Sequence, residues 1–88
     1  MDNPAEERYE ARLDGRLVAI TEYELEGAIL NFIHTEVLRE FEGQGIGSRL
    51  ATGALADVRA RGLKIQAECP FMSAYLRRHR DYDDLLAG

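Results

Sequence analysis

The sequence predicts an α/β domain in which an antiparallel meander leads into a βαβ unit and a short C-terminal helix. Three observations carry that prediction. Residues 8–37 form three strand-like runs separated by Asp14-Gly15 and Glu26-Gly27, both short-turn pairs. Glycines at 43, 45 and 47 then interrupt the chain, and from Ile46 the apolar residues recur at helical spacing. A further strand-like run follows at residues 64–69, and two strands joined by a crossover helix lie parallel.

In chain order, residues 1–6 read as a frayed start. Residues 8–13 alternate weakly, with Tyr9, Ala11 and Leu13 on one parity. The second strand, about 16–25, places Leu17, Ala19, Thr21, Tyr23 and Leu25 on one side and Val18 and Ile20 on the other, so its middle is expected to be covered on both faces. The third strand, 28–37, is the most apolar. In the helix that follows, Ile46, Leu50, Ala54 and Val58 form a stripe that Ala51 and Leu55 widen. Gly53 inside it costs about 1 kcal/mol relative to alanine, which marks a point of close packing on the sheet. Gly62 is a natural C-terminal cap. Ile65, Ala67 and Cys69 share one face of the fourth strand. Pro70 stops that strand and suits the first position of a second helix, whose inward stripe is Phe71, Met72, Tyr75, Leu76 and His79. Asp81-Tyr82-Asp83-Asp84 ends it, and Leu85-Leu86 fold back onto the core. The chain reads as one domain, residues 1–88, with its core at about 8–86.

Composition narrows the class. A hydrophobic fraction of 45% is that of a globular chain. No run reaches the ~18–20 apolar residues of a membrane span, and the first residues do not read as a signal peptide. One cysteine excludes an internal disulfide and a cysteine-rich zinc site, and no histidines or carboxylates have metal-ligand spacing, so no metal is expected. The net charge of −5 argues against nucleic acid as partner and tolerates a basic substrate such as an amine. A cytoplasmic protein, monomeric or weakly dimeric through the exposed edge of the fourth strand, fits these features.

The glycine turn is the strongest local signal. A helix starting near Ile46 points its first unpaired N–H groups and the positive end of its dipole into the turn, a geometry suited to a phosphate or pyrophosphate. A Walker loop requires a lysine that is missing here. A dinucleotide fingerprint is nearly met by Gly43, Gly45 and Ser48, but it follows an antiparallel meander and no second mononucleotide half remains.

The arrangement resembles the GCN5-related N-acetyltransferase superfamily. Its pyrophosphate-binding loop has the pattern Gln/Arg-x-x-Gly-x-Gly/Ala, which maps onto Glu42-Gly43-Gln44-Gly45-Ile46-Gly47, with Glu42 departing from the usual Gln or Arg. His34-Thr35-Glu36-Val37 before the loop, Ser48 after it, and Cys69-Pro70-Phe71 leading to Tyr75-Leu76-Arg77-Arg78-His79 resemble the small single-domain YjdJ-type branch over roughly residues 17–85. The resemblance implies a truncated acetyltransferase fold and acetyl-coenzyme A as co-substrate. It further implies acetyl transfer to an amine acceptor, such as a protein lysine. Main-chain groups of Thr35, Glu36, Val37 and Leu38, chiefly Val37 and Leu38, would hold the pantetheine and the acetyl carbonyl. Phe71, Ser73 and Tyr75 are further residues within reach of the coenzyme. A coenzyme A-binding module without turnover is the alternative.

Three side chains could carry chemistry. Cys69 sits at the end of a strand, just before a helix whose dipole favours a thiolate, so it could take the acetyl group covalently; equally, it is a small core residue beside Ile65 and Ala67. His34, on the parity of Leu30, Phe32 and Glu36, could deprotonate the amine or Cys69, or simply hydrogen-bond at the sheet rim. The resemblance gives Tyr75 the place of a tyrosine that protonates the leaving thiolate, whereas its position on the inward stripe makes it core.

Overall fold

Two tight turns set the course of the sheet. At Asp14-Gly15 both residues take positive φ, 50° and 80°, the hairpin geometry that matches strand twist. That turn joins β2 (Arg8–Leu13) to β3 (Arg16–Glu26), and Gly27 turns β3 into β4 (Ile29–Val37). The computed structural model describes residues 1–87. Its sheet has the order β1-β2-β3-β4-β5, opened by a short β1 (Asp2–Asn3) and antiparallel up to β4. From β4 the chain passes through α1 (Ile46–Ala60) to β5 (Lys64–Ala67), which pairs parallel with β4. Then come α2 (Pro70–Arg78) and a 3₁₀ turn, Arg80–Leu85.

The core lies on one face of this sheet. Tyr9, Tyr23, Leu30, Phe32 and Ile65 project from the strands onto Leu50, Ala54, Leu55 and Val58 of α1 and Met72 and Leu76 of α2. The α1 stripe follows the expected periodicity, and the helix stops where Gly62 takes φ 70°. Leu85 is buried, and Leu86 bridges Ile65 in parallel while Ala87 N–H donates to the Ile65 carbonyl at 2.9 Å. The outer edge of β5, expected to be exposed, is thus partly covered by the end of the described chain. No helix among the described residues is long and apolar enough to cross a membrane.

Four expectations need correction. Residues 1–6 are built in: β1 pairs with β2, Asn3 caps the 3₁₀ turn Pro4–Glu6, and Asp2 accepts a 2.7 Å bond from Tyr23. The middle of β3 is covered by helices on one face only. Val18 nonetheless reaches the core because a β-bulge opposite Ala11/Arg12 turns it inward, while Ile20 stays half-buried on the open face. A second bulge inserts Ile33 into β4, so His34 loses the parity of Leu30 and Phe32 and joins Glu22 on the open face. Gly53 marks no close approach, since nothing lies within 4 Å of where its Cβ would be.

The open face carries its own anchor. Glu10 accepts bonds from Arg8 Nε (2.8 Å), Asn3 Nδ2 (3.0 Å) and Arg12 Nη2 (3.1 Å). The Arg8 bond first, then Asn3, lower its carboxyl to about 2. A depressed carboxyl contributes stability that is fully present above its ordinary value of 4.5 and is lost as pH falls through about 2. Urea unfolding between pH 5 and pH 2 should therefore show stability declining, and Glu10→Gln should flatten that decline. Equal acid sensitivity in both proteins would remove Glu10 from the cause.

Candidate active site

The site arises where β4 and β5 part. Their pairing runs only from Ile29–Lys64 to Phe32–Ala67. There the Phe32 carbonyl accepts two bonds, from Glu68 N–H at 2.9 Å and Cys69 N–H at 3.0 Å. Pro70 then starts α2, and β4 continues to Val37 without its neighbour. Leu38 N–H donates to Val18 C=O at 2.9 Å, on the β3 side. Alternation along an antiparallel strand therefore turns the N–H groups of Thr35 and Val37 toward the gap. Of the four residues expected to offer main-chain groups, Thr35 and Val37 face the gap, and Leu38 is committed to β3.

The glycine turn closes one end of the gap. Gly43 and Gly45 take φ 81° and 76°, conformations that glycine adopts without strain. Gly45 is the N-cap of α1 and no side chain caps the helix. The N–H groups of Ile46, Gly47 and Ser48 are left without helical acceptors and carry the positive end of the dipole. Gly47 is required for a different reason: a Cβ there would lie 2.8 Å from Phe71 Cζ. The resulting cleft, about 370 Å³, is lined by Thr35, Val37, Phe41, Glu42, Phe71 and the glycine turn. On the open face, a trough of about 620 Å³ shares Thr35, Val37 and Glu42 with that cleft. Its floor includes Leu17, Ile20 and Leu38, and its rim Glu36, Arg39 and Glu42. The two cavities are thus the two sides of the free end of β4.

The sequence-predicted side chains fall into three groups. Cys69, buried at 2% exposure, donates its thiol to Thr35 Oγ1 at 3.2 Å, and Thr35 in turn shares a 2.9 Å bond with the buried Thr21. His34 stands on the opposite face, half-exposed, with Nε2 3.2 Å from Glu36 Oε1. The sheet separates it from Cys69, so the two do not form a nucleophile–base pair. Tyr75 is buried on the helix face, its hydroxyl 2.9 Å from Thr52 Oγ1 and its ring stacked on His79. Ser73 points away from the cleft, toward Arg77, which donates to it at 3.2 Å. Gln44 is exposed, its Nε2 donating to the Glu40 carbonyl at 3.5 Å. Sequence reasoning missed Thr21, Phe41 and Thr52. A threonine on the buried parity of β3 was the available sign for Thr21, and no local signal marks the other two.

Comparison with known proteins follows the geometry. Residues 8–85 match the family model described as GCN5-related N-acetyl-transferase. A GCN5-like candidate N-acetyltransferase from Staphylococcus aureus has a similar solution structure, with TM-score 0.73 and 29% identity over 94% of this chain and 83% of that one. A ribosomal-protein-alanine N-acetyltransferase from Brucella melitensis biovar Abortus 2308 shares the fold at TM-score 0.57 and 21% identity. That match covers 90% of this chain, which spans only 61% of the Brucella protein. No match was found among curated proteins.

Proposed function

The chain belongs to the GCN5-related N-acetyltransferase family, and on that premise we propose that it moves the acetyl group of acetyl-coenzyme A to a primary amine. One observation carries the reading. The uncapped start of α1 and the free edge of β4 open into the same cleft. The residues present fit the coenzyme: the first N–H groups of α1 have no side-chain cap and open onto the cleft, and Gly47 leaves room for the Phe71 ring that forms its wall. Ile46, Gly47 and Ser48 N–H groups would hold the pyrophosphate. The edges of Thr35 and Val37 would receive the pantetheine as an added strand receives its neighbour, with Val37 N–H available to polarise the acetyl carbonyl. Bound acetyl-coenzyme A supplies an activated acetyl group as a thioester.

The amine would enter from the open face. Leu17, Ile20 and Leu38 suit an apolar stem; of the charged lining, Arg8 is paired with Glu10, and Glu36 and Glu42, beside Arg39, would face the ammonium. His34, its Nε2 3.2 Å from Glu36 Oε1, stands on that face and would take the proton as the amine attacks. Cys69 lies across the sheet, buried at 2% exposure behind the cleft lining, with its thiol bonded to Thr35, which supports direct attack by the amine with Cys69 in a structural role. The trough is an open surface, a shape that suits an exposed lysine on a protein. A cytoplasmic setting agrees with the single unpaired cysteine. A coenzyme-binding module without turnover is the second reading, favoured by the absence, among the described residues, of a helix over that face.

Coenzyme A at ten times its Kd should add about 1.4 kcal/mol to folding stability. That raises Tm by about 6–11 °C for a domain of this size. No rise at millimolar coenzyme A would overturn the reading. Thiol release from acetyl-coenzyme A on addition of poly-lysine then separates the enzyme from the module. Cys69→Ala should retain that rate within about threefold; an acetyl adduct on wild-type Cys69, seen by intact-mass analysis, would replace direct attack by a covalent route.

A further inference from the structure

We infer that Tyr75 is a positioning residue for the coenzyme-binding turn, acting through Thr52, and not the acid that protonates the leaving thiolate. The hydroxyl hydrogens decide the direction. Thr52 Oγ1 donates its one hydrogen to the Ser48 carbonyl at 2.9 Å. It can therefore only accept from Tyr75, whose hydroxyl lies 2.9 Å away. The tyrosine proton is thus spent on Thr52, in a relay that runs Tyr75, Thr52, Ser48. Tyr75 is 4% exposed and does not line the cleft, and its ring is held by His79 at 4.0 Å between centroids.

The relay ends where it matters. Ser48 belongs to the first turn of α1, whose N–H groups face the cleft. One helical turn before Tyr75, on the same face of α2, Phe71 rests against Gly47. So α2 meets the start of α1 at two points, by ring contact at Gly47 and by a hydrogen bond to Thr52, whose own hydroxyl is bonded to the Ser48 carbonyl. Polar contact to a preformed anion site contributes through its orientation, since a donor turned away from the ligand loses its bond. Loosening Ser48 should weaken the site without touching the reacting atoms.

The inference rests on the coenzyme site proposed above, and the test separates the two. Coenzyme A binding is measured by titration calorimetry for wild type, Tyr75→Phe, Thr52→Val and the double variant. Thiol release from acetyl-coenzyme A with poly-lysine is followed from pH 6 to pH 10. Each single variant should raise Kd and KM for the coenzyme about three- to tenfold, the scale of one hydrogen bond. The double variant should be no worse than either single one, because both changes cut the same relay. At saturating coenzyme, kcat and its pH profile should stay those of wild type. A Tyr75→Phe protein that binds normally but loses kcat, with an altered alkaline limb, would overturn the inference and make Tyr75 the acid. Additive losses of binding in the double variant would also overturn it. Failure of wild type to bind coenzyme A would instead remove the proposed site itself.

Discussion

Gly47→Ala should raise the Kd for coenzyme A by about 100-fold, some 2.7 kcal/mol, while leaving the melting temperature of the free protein nearly unchanged. The new methyl would sit 2.8 Å from Phe71 Cζ and 3.1 Å from Cε2, so the ring has to leave. Phe71 is half-buried at the cleft wall, and the space open to it is the cleft. The displaced ring would then occupy the volume that the pyrophosphate needs. Stability changes little because alanine is intrinsically better than glycine in a helix by about 0.5–1 kcal/mol, which offsets the repacking. Titration calorimetry and thermal melts of Gly47→Ala, with and without Phe71→Ala, check both halves. Binding in the double variant should recover in part, and wild-type affinity in Gly47→Ala alone would contradict the steric account.

Phe32→Ala should have the largest effect on stability, a loss of about 3–5 kcal/mol. A domain of this length has a total of only about 4–13 kcal/mol, so Tm should fall by at least about 12 °C. The side chain is fully buried and lies 6.4 Å, centroid to centroid, from the ring of Tyr9. Its carbonyl also accepts the two N–H groups that end β5. The cavity would therefore form at the point where the sheet divides, and coenzyme affinity should fall with stability. Phe32→Leu, which keeps most of the volume, should lose much less. Equal melting temperatures for wild type and Phe32→Ala would place the core elsewhere.

Much of this architecture was legible because its signals are local. Asp14-Gly15, Gly45, Gly62 and Pro70 each state a backbone requirement in one or two residues, and the structure meets each of them where expected. The stripe from Ile46 to Val58 is a period that any window of sequence reveals. The two β-bulges were not legible. Whether Val18 or Ile33 is the extra residue depends on how a neighbouring strand pairs, and no residue type announces it. That one insertion carried His34 across the sheet, away from Cys69 and onto the face of the trough. Gly53 misled for a related reason: a glycine in a helix signals freedom or closeness, and only the packing tells which. The split itself follows from Pro70 ending β5 early, but the double use of the Phe32 carbonyl is a matter of three dimensions.

The division of the sheet also orders the folding events. β2, β3 and β4 are joined by two-residue turns, so their pairing closes small loops quickly. β5 can join only after residues 38–63 have been gathered, at the entropic cost of a long loop closure. Such non-local pairing forms late. In the native ensemble the same seam is held by fewer strand-to-strand pairs than β2–β3 or β3–β4. Amide exchange should then be faster in β5 than in β3, and coenzyme A bound at the proposed site should slow exchange in β5.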